Sequence, residues 1–218
     1  MVFGSSVFQE AAHSDLTPGR VVVCVPTNGM VHAQFTYCLV DAIRYTESQG
    51  IAVQLNMDEG TVLSNQRQHL AYTAIADYQA DHIMWLDSDM TFPPDVILQL
   101  LKHNKDVVCA TYSKRVEPFH ATAFLDIDPV VPVPMRGRLK RVRFAGMGCM
   151  LVNADVMHRL PTPWFPLIWH EPSQSWHGED MGFCELLEKE NVNVYCDIEL
   201  SLKVGHIGQQ EFLLNPED

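Results

Sequence analysis

No stretch of this 218-residue chain approaches the roughly 18 consecutive apolar residues of a membrane span, so the sequence predicts no bilayer-crossing helix. Residues 1–20 also lack the charged start and apolar core of a secretory signal. The expectation is a soluble, cytoplasmic protein (host cytoplasm if viral) with no membrane partner. The six cysteines, Cys24, Cys38, Cys109, Cys149, Cys184 and Cys196, include no C-x-x-C pair. That absence speaks against zinc and dithiol chemistry and leaves buried, reduced thiols. Basic residues are few, 15 Lys and Arg against 27 Asp and Glu, and the formal charge of −12 opposes non-specific adhesion to nucleic acid. There is no internal repeat, heptad or low-complexity tract.

What is present suits one compact α/β domain. At 47% hydrophobic and 19% charged, the chain is large enough to bury a sizeable core. The expected layout is a frayed N-terminal arm over 1–19, a single domain over 20–210 and a tail over 211–218. Residues 21–25 form a β-branched run that Pro26, Thr27, Asn28 and Gly29 break, as expected of a strand buried on both faces. Helical spacing follows over 31–49, with Gly50 as its stop, then a strand over 51–57. Ser64 or Asn65 is expected to cap a second helix with Leu70, Ala71, Ala74 and Ile75 on its core face. A strand over 82–86, a short helix over 95–103 and a strand over 106–111 complete a βαβαβαβ alternation. Such alternation predicts a mostly parallel, doubly wound sheet with helices on both faces.

Residues 113–134 read as irregular. A strand over 139–144, a strand over 149–152 and a capped helix over 153–160 follow. The segment 161–176, rich in Pro and Trp, suits a lid, a substrate wall or ordinary surface packing. Residues 197–203 read as a short strand. A local exception to the acidic total is Arg136, Arg138, Lys140, Arg141 and Arg143, with Lys114 and Arg115 expected nearby. It is either a solvated hairpin face or a contact for a phosphate-bearing donor or polyanionic acceptor.

Three motifs carry chemistry. Asp87-Ser88-Asp89 ends the apolar run His82 to Leu86, and paired carboxylates at a sheet's carboxyl edge are hard ligands for a divalent cation and its diphosphate. Helix caps and turns use the same residues. Trp176-His177-Gly178-Glu179-Asp180 sets adjacent carboxylates beside an aromatic ring at a helix start, where an acidic first turn is also favourable. His206 stands in Gly205-His206-Ile207-Gly208, where it can approach a metal or phosphate or serve as a surface residue.

The ordered set of a first strand ending in Pro-Thr, the Asp-x-Asp, the glycine-bearing stretch 144–151, the Gly-Glu-Asp and the late His-x-Gly resembles a GT-A fold glycosyltransferase of the inverting, family-2-like kind. The resemblance covers about 20–208. It implies Asp89, His206 and Asp87 at a Mn²⁺ or Mg²⁺ ion, with Asp87 also reaching the ribose or a metal-bound water. It implies Asp180 as catalytic base, with Glu179 orienting the acceptor or the base. Donor contacts implied are Pro26, Thr27, Asp58 (or Glu59), Asn65, Arg67, Asp87 and Ser88. Acceptor contacts implied are Trp176, Gly146, Met147 and Gly148. The expected partners are a nucleotide-sugar donor, UDP-linked, and an acceptor hydroxyl. One candidate acceptor is a hydroxymethylated DNA base, as in phage-like genome modification; the basic cluster motivates it and the −12 charge opposes it. The competing readings are a nucleotidyltransferase, which normally has a basic phosphate loop after strand one that 26–29 lacks, and a nucleotide-sugar-binding module without turnover.

Overall fold

The computed structural model describes residues 19–115 and 120–208. The expected arm, Gly19 aside, and the tail over 211–218 lie outside the described residues.

The first half follows the expected alternation. It runs β1 (Arg20–Thr27), α1 (Ala33–Ser48), β2 (Ala52–Glu59), α2 (Leu63–Ala76), β3 (His82–Leu86), β4 (Met90–Thr91), α3 (Val96–Leu101) and β5 (Val107–Cys109). The stretch that reads as irregular contains β6 (Ala123–Ile127) and β7 (Val130–Pro132). After it come β8 (Leu139–Val142), β9 (Phe144–Ala145), β10 (Cys149–Asn153) and α4 (Ala154–Arg159). The Pro- and Trp-rich segment closes into a hairpin of β11 (Ile168–His170) and β12 (Ser175–His177). The remaining elements are α5 (Glu179–Lys189), β13 (Val194–Asp197), α6 (Ile198–Ser201) and β14 (Gly205–His206).

Seven strands form the central sheet in the order β2-β1-β3-β10-β5-β13-β8. All run parallel except β10 and β8, which are antiparallel to their neighbours. Because side chains alternate along a strand, β1 feeds two cores. Val21, Val23 and Val25 face Phe35, Leu39 and Ala42 of α1 and Ile97 and Leu100 of α3. Val22 and Cys24 face Leu70, Ala71 and Ala74 of α2 and, farther along, Phe183 and Leu187 of α5. Helices therefore cover both faces, which is why these strands carry no polar alternation.

The chain leaves β1 for β2 on one side and returns through α2 to β3 on the other. The carboxyl ends of β1 and β3 thus flank a topological switch point, where open α/β sheets leave a crevice. The strand expected over 139–144 divides into β8 of the central sheet and β9 of a three-stranded one, and two other expected boundaries move for reasons the contacts show. Helix α2 begins at Leu63 with Val62 as its cap and no capping side chain, so neither Ser64 nor Asn65 caps it. Gln66 holds that first turn instead, its side-chain amide donating to Thr27 O (2.8 Å) and Asp58 O (2.7 Å). The expected strand over 197–203 is the end of β13 followed by a helical turn, because the Asp197 carboxylate accepts from Leu200 N (2.9 Å) and bends the chain. All six cysteines are free, and burial pushes the Cys149 and Cys184 thiols up to about 12. Among the described residues no helix is long and apolar enough to cross a membrane.

Candidate active site

Asp87 and Asp89 emerge where β3 stops at the switch point. Met90 N donates back to Asp87 O (3.2 Å), which turns the chain into β4. Strand β4 then pairs with β14, placing His206 opposite Met90, and Ile207 N donates to Asp89 O (2.8 Å). Two residues far apart in sequence are so brought together: His206 Nε2 lies 3.5 Å from Asp89 Oδ1.

The protonation of His206 follows from its partners. Nδ1 sits 3.0 Å from the Ser113 carbonyl oxygen, which can only accept, so Nδ1 carries a hydrogen. Nε2 in turn is approached by two Arg115 donors, Nε at 2.9 Å and Nη2 at 2.7 Å, and presents its lone pair to that guanidinium. Arg115 Nη2 also donates to Asp89 Oδ2. Asp89 Oδ1 is buried and has no hydrogen-bond partner among the described residues.

An orphaned carboxylate oxygen beside an imidazole lone pair fits a divalent cation. Among the described residues no group of three or more His, Cys, Asp or Glu side chains could hold a metal by itself. Two protein ligands nevertheless suit cations that complete their shell with substrate phosphates and water. Asp87 is placed differently from its neighbour. Its Oδ1 accepts from Arg67 Nη2 (2.8 Å), and Arg67 Nε donates to Glu179 Oε1 (3.1 Å).

Arg67, expected to touch the nucleotide, is a correction, because only 1% of it is exposed. Its guanidinium carbon stands 5.4 Å from the Trp85 ring centre, and it clamps the end of β3 to the start of α5 from beneath. Burial would lower its pKa, but Asp87 and Glu179 overcome that and keep it charged. Glu179 is accordingly held by Arg67 from below and positions the start of α5. Its neighbour Asp180 accepts from Met181 N (2.8 Å), and burial first, then the Glu179 charge, pushes its carboxyl above the ordinary range. One buried arginine beside three carboxylates leaves local charge uncompensated, and Asp180 carries the consequence.

The glycines of 146–148 lie against an aromatic ring of the protein itself. A Cβ at Gly146 or Gly148 would meet Tyr112 Oη at 2.6 or 2.7 Å, and Gly148 N donates to that oxygen (3.0 Å). They make room for Tyr112, whose ring lies edge-on to His206 at 5.1 Å. Met147 is buried in the core, so its side chain is not an acceptor contact. Pro26 is likewise buried within β1. Thr27, at the strand end, donates to Met30 O (2.9 Å) and accepts from Gly29 N (3.2 Å). Asp58 Oδ2 lies 3.3 Å from His69 Nδ1, and Asn65 is exposed in the first turn of α2. Ser88 is half-buried and its carbonyl accepts from His32 N (3.4 Å). Trp176 is 64% exposed on the β11–β12 hairpin, its ring edge-on to Trp169 at 5.4 Å.

The basic residues divide. Arg143 is engaged by Asp126 and Glu188, while Arg136, Arg138 and Arg141 are exposed on or before the edge strand β8. Four strand spacings separate β8 from β3, about 19 Å, which is too far for the cluster to share a diphosphate with Asp89. Arg115, expected beside that cluster, stands instead on Asp89 and His206. It and Tyr112 are the site residues that sequence reasoning missed; the pair of glycines at 146 and 148 was the one hint of a ring to be accommodated.

No protein-family model matches the sequence, and no curated protein matches it. Solved structures do resemble it. A197 from STIV aligns with a TM-score of 0.58 at 14% identity, over 91% of this chain and 100% of that one. A β1,4-galactosyltransferase 7 mutant from Drosophila, in complex with manganese, UDP-Gal and xylobiose, gives 0.52 at 12% identity, covering 91% and 78%. TarS from S. aureus in complex with UDP-GlcNAc gives 0.51 at 10% identity, covering 88% of this chain and 60% of that one. Likeness at these identities establishes the fold, a GT-A-like arrangement around a mostly parallel sheet.

Proposed function

We propose that this protein is a glycosyltransferase that moves a sugar from a UDP-linked nucleotide donor to an acceptor hydroxyl with inversion, aided by Mn²⁺ or Mg²⁺. The observation that carries the reading is the meeting of Asp89 Oδ1 with His206 Nε2 at the switch point, near a helix whose first turn carries Glu179 and Asp180. Two neighbours of the same fold were solved with UDP-sugars, one of them with manganese, which supports the donor class.

Asp89 and His206 would hold the cation, whose chemistry is to neutralise the departing diphosphate as the anomeric bond breaks. Thr27, at the end of β1, lies where the nucleoside would rest. Asp180 accepts the proton of the attacking hydroxyl, and a carboxyl raised by burial is a better base than one in water. Arg67 and Glu179 act through Asp87 and Asp180 rather than on the substrate, by fixing β3 and α5 in one frame. The exposed Trp176 offers an apolar face to a sugar acceptor. The −12 charge and the remoteness of β8 from the cleft weigh against a DNA acceptor and favour a small soluble one.

Release of UDP from UDP-glucose, UDP-galactose and UDP-GlcNAc in Mn²⁺ tests the reading. Turnover with at least one donor, lost in Asp89→Ala, is expected. A folded protein that binds UDP and never releases it from any sugar would favour the binding module.

A further inference from the structure

The place a cation would take is not vacant of charge. Arg115 Nη2 bridges Asp89 Oδ2 and His206 Nε2, and its Nε points at the same imidazole nitrogen. We propose that Arg115 is a resident counter-cation: it neutralises the cleft in the metal-free protein, yields Asp89 and His206 to an entering divalent ion, and then turns onto the donor diphosphate. The inference rests on the cation assignment above and deepens it.

The argument is one of exclusive occupancy. Nδ1 of His206 is committed to the Ser113 carbonyl, so the ring has a single lone pair, at Nε2. That lone pair can accept from a guanidinium or coordinate an ion, and not both. Asp89 Oδ2 is engaged by the same guanidinium while Oδ1 has no partner among the described residues, which leaves the carboxylate half satisfied there. Charge explains why the contact exists. Asp87, Glu179 and Asp180 gather around Arg67, which is already shared between two of them, and Asp89 needs a positive partner of its own.

Arg115 is placed to leave. Its side chain is 46% exposed, and among the described residues its polar contacts are Asp89 and His206 alone. Once displaced it remains tethered at the mouth of the cleft, and a planar guanidinium suits two phosphate oxygens at once. The occupied form must be a tax on cation binding, since apparent affinity falls with the fraction of protein whose ligands are free.

Manganese titration followed by electron paramagnetic resonance of free Mn²⁺ tests this without turnover. The proteins are wild type, Arg115→Ala, Asp89→Asn and the double variant, each with Mn²⁺ alone and then with UDP. Arg115→Ala should bind Mn²⁺ alone about tenfold more tightly than wild type, and Asp89→Asn should abolish the gain. UDP should tighten Mn²⁺ binding less in Arg115→Ala than in wild type, because a phosphate contact is gone. Equal or weaker Mn²⁺ binding by Arg115→Ala overturns the exchange while leaving the cation assignment standing. If no protein binds Mn²⁺ with or without UDP, the cation assignment fails and the exchange with it. Arg115→Gln, which keeps the length and loses the charge, repeats the comparison should the alanine variant lose its far-ultraviolet circular dichroism.

Discussion

Replacing Arg67 by methionine removes the buried cation beneath the cleft and keeps most of the volume. Arg67 is 1% exposed, and its two ion pairs span 2.8 Å to Asp87 and 3.1 Å to Glu179. Removing one member of a buried pair typically costs about 3–5 kcal/mol, because the partner is left charged and desolvated. The Asp87 side chain is 27% exposed and can be partly rescued by water, whereas that of Glu179 is 12% exposed and cannot, so the lower end, about 3 kcal/mol, is the expected loss. For a chain of this length that corresponds to a melting temperature lower by about 6–12 °C. Urea titration followed by tryptophan fluorescence measures it, with Trp85 beside the guanidinium as a local reporter. The decisive step is Glu179→Gln in both backgrounds. It should destabilise wild type, which loses an ion pair, and stabilise Arg67→Met, which loses a stranded charge, a reversal of sign that a double-mutant cycle isolates. A loss below about 1 kcal/mol for Arg67→Met, or an equal effect of Glu179→Gln in both backgrounds, would refute the clamp.

Asp180 gives a pH signature. Burial and Glu179 raise its folded pKa above the unfolded value, so its favourable contribution is complete below the ordinary carboxylate pKa and is lost as pH rises through the raised one. Asp180→Asn should therefore melt higher than wild type at pH 7, show no such advantage at pH 3, and lose sugar transfer while still binding UDP; an equal melting point at pH 7 would count against a strained carboxylate. Gly182→Ala in α5 separates packing from propensity. Helix propensity alone predicts a gain of about 1 kcal/mol, whereas the new Cβ would run into the Pro166 carbonyl oxygen, so a loss of about 1–3 kcal/mol or more in urea titration is expected.

The sheet was legible where burial on two faces writes itself into composition. The apolar runs at 21–25 and 82–86 and the turn residues after them located β1, β3 and the two aspartates at the crevice. Strand direction was less visible, since Cys149 to Val152 reads the same whether it runs with its neighbours or, as β10 does, against them. The pairing of Asp89 with His206 depends on the short β4–β14 ladder, which no local period announces; the family resemblance had to supply it. Arg67 was misplaced for a physical reason: arginine is seldom buried unless paired, and its partners Asp87 and Glu179 lie 20 and 112 positions away. Arg115 was hidden in the same way, within a segment whose prolines and charges read as irregular. The glycines at 146 and 148 stand out in the sequence, but what they accommodate, the Tyr112 hydroxyl, is a non-local fact.

The two walls of the cleft differ in how firmly they are anchored. Asp89 follows a strand locked between partners in the middle of a seven-stranded sheet, whereas His206 hangs from a ladder two residues long on each side. Opening that ladder severs a handful of amide contacts and disturbs no strand of the large sheet, so the pocket can come apart while the domain stays folded. A change at 206 or 207 would therefore be felt at the Asp89–His206 contact before it reached the seven-stranded sheet.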